Sequence, residues 1–136
     1  MTTVAFIGLG NMGAAMAGHL QAAGYALRVH ARRAAAMQPF VARGAVACAT
    51  PAEAARGAEF VCTNVTATAD VETVLLGTDG VVHGASAGTV ALDFSTISAL
   101  ATRAIAQRLT EGGIEMLDCP VSGGTRGARE ATLTLM

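Results

Sequence analysis

Hydrophobic and polar positions change their period repeatedly along this chain. Val4-Ala5-Phe6-Ile7 is an unbroken apolar run, the mark of a strand buried on both faces. From Asn11 to Ala23, Met12, Met16 and Leu20 recur every four residues, which gives a helix one apolar face; Gly24 stops it. Ala26–His30 reads as a second strand. A short helix follows with Met37, Phe40 and Val41 inward, closed by Gly44. Ala45–Cys48 is a third strand. Thr50-Pro51-Ala52-Glu53 has the form of a capping box, with Thr50 as cap and proline in the first turn. Phe60–Asn64 is a fourth strand, Asp70–Leu76 a helix ended by Gly77, and Thr89–Asp93 a fifth strand. Ile97, Ala101, Ile105 and Leu109 then repeat at helical spacing, with Ser95 or Ser98 as cap. Ile114–Asp118 is a sixth strand, and Thr132–Met136 has the character of another.

Strands that alternate with helices predict an α/β fold with a mainly parallel sheet and helices on both faces. Neither an internal repeat nor a linker divides the chain, so residues 1–136 read as one domain, one that looks incomplete at its C-terminal strand.

The first turn carries the most specific chemistry. Gly8-x-Gly10-x-x-Gly13 sits between the first strand and the first helix, the context that a dinucleotide-binding fingerprint requires. Gly8 makes the tight turn. Gly10 lets the backbone approach a pyrophosphate, and Gly13 lets the helix pack close to the sheet. The helix start then offers free N–H groups to the phosphates. The fold is therefore expected to be doubly wound and Rossmann-type, with Gly8, Leu9, Gly10, Asn11, Met12 and Gly13 at the cofactor. The loop Asn64-Val65-Thr66 leaves the carboxyl end of a strand, where ligands sit in this architecture.

Cofactor choice is read after the second strand. The end is His30-Ala31-Arg32-Arg33 and has no carboxylate. An acidic residue there holds the ribose 2′-hydroxyl of NAD, whereas arginine accommodates the 2′-phosphate of NADP. Two adjacent guanidiniums suit a phosphate, so Ala31, Arg32 and Arg33 favour NADP, with NAD as the second choice.

Composition mostly narrows the field. Hydrophobic residues make up 52% and charged residues 14%, as in a globular domain. A net charge of -1 and few aromatics leave no footprint for nucleic acid. Residues 2–27 lack charged side chains, yet glycines, Asn11, His19 and Gln21 break the run, so no membrane span is expected. No signal peptide is indicated. Cys48, Cys62 and Cys119 show no metal-ligand spacing and read as free thiols of a reducing, cytoplasmic setting. Nine basic residues are all arginine, and the chain contains no lysine.

Two further motifs join the fingerprint. With Gly8-Leu9-Gly10-Asn11-Met12-Gly13-Ala14-Ala15-Met16-Ala17, the stretches Asp93-Phe94-Ser95-Thr96 and Asp118-Cys119-Pro120-Val121-Ser122-Gly123-Gly124 resemble the β-hydroxyacid dehydrogenases. The closest patterns are 3-hydroxyisobutyrate dehydrogenase and 2-hydroxy-3-oxopropionate reductase. The resemblance implies hydride transfer between a nicotinamide cofactor and a β-hydroxy acid or its semialdehyde. It also implies a substrate anchor at Ser122, Gly123 and Gly124, with Thr96 at the nicotinamide end and Asp118 as a structural acceptor. It further implies an all-helical second domain after this one, and a homo-oligomer for the full-length protein.

Where the sequence departs from that family, Ala31 replaces an asparagine, Arg33 a small polar residue, Ala99 a proline and Ala131 a glycine. The family's acid/base lysine lies beyond the stretch covered here, so these residues contain no catalytic group and are expected to be inactive alone. Three other readings compete. A decarboxylase like 6-phosphogluconate dehydrogenase shares Val121-Ser122-Gly123-Gly124, but has Gly-Asn where Ser95-Thr96 stands. Imine reductases share the opening. A non-catalytic NADP-binding module is allowed by the missing lysine.

Overall fold

In a computed structural model covering residues 1–136, the chain forms eight strands and six α-helices. In order they are β1 (Thr3–Ile7), α1 (Asn11–Ala22), β2 (Ala26–His30), α2 (Gln38–Val41), β3 (Val46–Ala47), α3 (Pro51–Ala55), β4 (Phe60–Thr63), α4 (Thr68–Leu76), β5 (Val90–Asp93), α5 (Ala99–Glu111), β6 (Glu115–Asp118), β7 (Val121–Ser122), α6 (Gly124–Glu130) and β8 (Thr134–Leu135). Two 3-10 turns, Ala34–Met37 and Val81–His83, lead into α2 and follow α4.

Six strands form one parallel sheet in the order β3-β2-β1-β4-β5-β6. This is the doubly wound, Rossmann-type arrangement that the alternation predicted. Strand order reverses between β1 and β4, and ligands bind above the carboxyl ends of strands at such a switch point.

β1 is central because both of its faces are apolar. Val4 and Phe6 enter one core with Ala17, Leu27, Val29, Met37, Phe40 and Cys62, under α1 and α2. Ala5 and Ile7 enter the other with Val61, Val71, Leu75, Ile105, Leu109 and Ile114, under α3, α4 and α5. The alternation follows from successive side chains pointing to opposite faces of a strand.

Local chemistry sets several boundaries. Thr50 Oγ1 accepts from the Glu53 N–H at 3.1 Å, and Glu53 Oε2 accepts from the Ala49 N–H at 2.8 Å, one residue earlier than an ideal box. Arg28 reaches from β2 to the far end of α3 and donates to the Glu53 and Ala54 carbonyls at 2.7 and 3.1 Å. Ser98 caps α5, accepting from the Ala101 N–H at 3.3 Å.

Several expectations are corrected. In α1 the fully buried residues are Gly13 and Ala17; Met16 and Leu20 are half-buried and pack against the same core as Ala17, as expected, while Met12 lines the cleft. Val41 is 37% exposed and does not join Met37 and Phe40 in the core. The C-terminal strand does not extend the main sheet: β8 pairs antiparallel with β7, as a separate ribbon. Between them runs α6, a helix that the glycine-rich sequence concealed. Asp118 is exposed and its side chain makes no hydrogen bond, so the structural acceptor is Asp93 on the neighbouring strand.

α6 ends in a Schellman motif. Thr132 N–H donates to Gly127 O at 2.9 Å and Ala131 N–H to Ala128 O at 3.4 Å, which puts Ala131 in the left-handed region at φ 57. Glycine is favoured there because a Cβ meets the neighbouring carbonyl oxygen. Ala131→Gly should therefore stabilise the chain by about 1 kcal/mol, raising Tm by about 3 °C in a thermal melt.

Burial pushes the Cys62 thiol up from its ordinary 9.0 to about 12, while Cys48 and Cys119 are raised for the same reason. The folded chain keeps a proton that the unfolded chain releases. Stability is thus fully present below about pH 9 and is lost as pH rises toward 12, at up to about 1.4 kcal/mol per pH unit for Cys62. With no lysine in the chain, few other groups titrate in that window. Urea titrations between about pH 8 and 11 should show this decline, and Cys62→Ala should reduce it to the smaller part due to Cys48 and Cys119.

Candidate functional site

A cleft of about 880 Å³ opens above the switch point. Gly8, Leu9, Gly10, Asn11, Met12 and Ala14 form one wall, Ala31, Arg32, Arg33 and Ala36 a second, and Asn64, Val65, Thr66 and Asp70 a third, with Thr125 and Arg129 at the rim. The sequence-predicted residues of the first turn, the β2 end and the β4 loop therefore meet in one place. Gly13 is the exception among the fingerprint glycines: it lies beneath the cleft, not in its lining.

The three glycines do different work. Gly8 has φ 99, and a Cβ on it would stand 2.1 Å from the Asn64 carbonyl oxygen. A Cβ on Gly13 would stand 2.0 Å from the Gly8 carbonyl oxygen. Both are glycine because main chains cross there. Gly10 is unlike them. Its φ is an ordinary -73, and a Cβ there would meet nothing within 4 Å. Nothing inside the protein requires glycine at this exposed position. A Cβ there would stand in open space at the wall of the cleft that Gly10 lines.

That wall is electropositive. Gly10 precedes α1 and supplies no side-chain cap, and no acidic residue occupies the first turn. The first amides of a helix have no intrahelical partner and carry the positive end of its dipole. They are open to an anion. Arg32, Arg33 and Arg129 add positive charge to the walls.

Asp70 is the residue that sequence reasoning missed. Its Oδ1 lies 2.5 Å from Arg32 Nη2, and its Oδ2 accepts from the Ala67 N–H at 3.0 Å, closing the first turn of α4. A second cavity of about 370 Å³ on the other side of the Arg32–Asp70 pair is lined by Ile7, Gly8, His30, Pro51, Val74 and Thr78 among others. His30 Nδ1 is 2.9 Å from Cys48 O, which holds the ring at this wall.

The loops after β4 and β5 are tied together beneath the surface. Asp93 is fully buried, and its Oδ1 accepts from Thr63 Oγ1 at 2.8 Å and from the Ser95 N–H at 3.1 Å. Ser95 Oγ in turn accepts from the Val65 N–H at 2.9 Å. Ser95 is therefore a cross-brace between loops and not a helix cap. Thr96 is exposed beside it, outside the cleft lining.

Ser122, Gly123 and Gly124 are exposed on β7 and the start of α6 and also stand outside that lining. Their helix nevertheless reaches the cleft through Thr125 and Arg129. His19, on the outer face of α1, fixes its position: His19 Nε2 lies 2.8 Å from Ala128 O and 3.0 Å from Arg129 O. The imidazole N–H caps the last turn of α6, a role invisible in the sequence.

Residues 3–136 match the family model described as the NAD binding domain of 6-phosphogluconate dehydrogenase. The NAD-dependent L-serine dehydrogenase of Pseudomonas aeruginosa is 43% identical over 136 residues, 100% of this chain and 46% of that protein. The solved 3-hydroxyisobutyrate dehydrogenase of Mycobacterium tuberculosis with L-serine superposes with a TM-score of 0.91 at 37% identity, covering 100% of this chain and 46% of that one. A structure of Psf3 in complex with NADP+ and 2-OPP gives a TM-score of 0.89 at 28% identity, covering 97% of this chain and 47% of that one. The chain thus spans just under half the length of these relatives. No helix is long and apolar enough to cross a membrane. The chain belongs to the family of the NAD binding domain of 6-phosphogluconate dehydrogenase, in the branch shared with 3-hydroxyisobutyrate dehydrogenase and related β-hydroxyacid dehydrogenases.

Proposed function

We propose that this chain is the coenzyme-binding half of an NADP(H)-dependent oxidoreductase acting on a β-hydroxy acid or its semialdehyde. The observation that supports the reading is the cradle at Gly10, an exposed cleft-lining N-cap where a Cβ would meet nothing of the protein, beside helix amides that lack a side-chain cap. The pyrophosphate would rest on the amides that open α1, and Arg32 with Arg33 would hold the 2′-phosphate of the adenosine ribose. Asn64, Val65 and Thr66 would line the path toward the nicotinamide, with Thr96 beyond them. The bound coenzyme supplies or accepts the hydride.

Ser122 and the amides of Gly123 and Gly124 would cradle a substrate carboxylate, beside Thr125, the next residue of α6, which lines the cleft. Orientation of the substrate would be their task. Proton transfer at the substrate oxygen needs a group with a suitable pKa, and the family resemblance gives that task to a lysine. These residues include none, so on this reading they bind coenzyme without turnover.

Two measurements test the reading. NADPH and NADH fluorescence titrations should show that Arg32→Ala weakens NADPH by about 1–3 kcal/mol and leaves NADH nearly unchanged. Equal losses for both would remove Arg32 from the phosphate site. A glycine pair tests the cradle. Gly10→Ala should keep the wild-type Tm and lose affinity for both coenzymes. Gly13→Ala should lose about 3 kcal/mol of stability, since its Cβ collides with backbone. Undiminished coenzyme binding by Gly10→Ala would place the pyrophosphate elsewhere.

A further inference from the structure

We propose that Asp70 is a second reader of the adenosine ribose, one that opposes the 2′-phosphate, so that the Arg32–Asp70 pair sets coenzyme preference and Arg32 alone does not. This rests on the reading above, in which Arg32 faces that end of the coenzyme.

The two partners differ in freedom. The Arg32 side chain is 83% exposed and can swing, whereas that of Asp70 is 24% exposed. Asp70 Oδ2 is also held by the Ala67 N–H within the first turn of α4, where the helix dipole favours a carboxylate. The carboxylate stays when the guanidinium leaves. An exposed ion pair is weak and opens readily, so the pair does not block the site. It does present any arriving phosphate with a fixed negative charge on the wall that both cavities share.

The consequence depends on the ribose. A free 2′-hydroxyl is compatible with the closed pair and can donate to the carboxylate. A 2′-phosphate must draw Arg32 away from Asp70 and then sit near an uncompensated carboxylate. Arg33 lines the same cleft and forms no ion pair, so a phosphate held by Arg32 and Arg33 together remains favourable, at reduced affinity. The carboxylate that this fold usually carries at the end of β2 is absent here. Asp70 supplies one from another element, 38 residues along the chain from Arg32.

Asp70→Asn removes the charge and keeps an oxygen for the Ala67 N–H. In low-salt titrations it should tighten NADPH by about three- to ten-fold and leave NADH within about two-fold. Added salt should shrink the difference from wild type. Asp70→Ser, another good capping residue, should shift the preference in the same direction. If Arg32→Ala loses NADPH while Asp70→Asn leaves the NADPH-to-NADH ratio at its wild-type value, the proposal is wrong and the phosphate site stands. If Asp70→Asn weakens NADPH, the carboxylate positions Arg32 for the phosphate, and the proposal is again wrong. If neither Arg32→Ala nor Asp70→Asn alters either coenzyme, the reading beneath the proposal fails with it.

Discussion

Everything at the mouth of this fold depends on main chains meeting where side chains are absent. The Gly8 turn lies so close to the Asn64 carbonyl, and the Gly13 backbone so close to the Gly8 carbonyl, that a single methyl at either position would overlap backbone. These two approaches bring the end of β1, the start of α1 and the loop after β4 to one point. Because the sheet reverses its order between β1 and β4, the loops diverge there and leave a crevice. The helix start then directs unpaired amides into it. Packing, topology and electrostatics converge on one place, an uncapped helix start that faces a cleft lined by arginines.

Around that point the protein spends its polar side chains on positioning. Asp93 is buried without a cationic partner. Burial of a carboxylate is costly unless hydrogen bonds compensate, and here the Thr63 hydroxyl and Ser95 amide both donate to Oδ1 while Oδ2 is left without a partner. The return is a fixed relation between the loops after β4 and β5, extended to Val65 through Ser95 Oγ. His19 does the equivalent for α6, whose seven residues could not persist alone because short isolated helices are marginal. Arg28 does it for α3. The charged residues left at the cleft are then Arg32, Arg33, Arg129 and Asp70, a set of mixed sign.

Much of this was legible in the sequence, for reasons particular to each element. β1 could be read because burial on both faces demands an unbroken apolar run. The fingerprint could be read because each glycine answers a separate steric demand, and Thr50-Pro51-Ala52-Glu53 because capping is local. α1 was legible in place and in part in orientation: Met16 and Leu20 do pack on the core, but four-residue spacing passed over Gly13 and Ala17, the residues buried most deeply. Periodicity registers large apolar side chains, and close helix–sheet packing selects small ones. α6 escaped notice because Gly124-Thr125-Arg126-Gly127 has poor intrinsic helix propensity. His19 and the β7–β8 ribbon hold it, and both are tertiary.

The sequence by itself therefore determined the order of strands and helices, the parallel sheet they imply and the glycine turn between β1 and α1. These follow from local spacing, from the steric demands of glycine and from short-range capping. Only the tertiary structure decided that Asp70 faces Arg32, that Ser95 braces one loop against another and that His19 caps α6. Each of these joins residues across the fold. The physical reason is that charge and hydrogen bonding act through space, whereas a residue pattern reports only on neighbours along the chain.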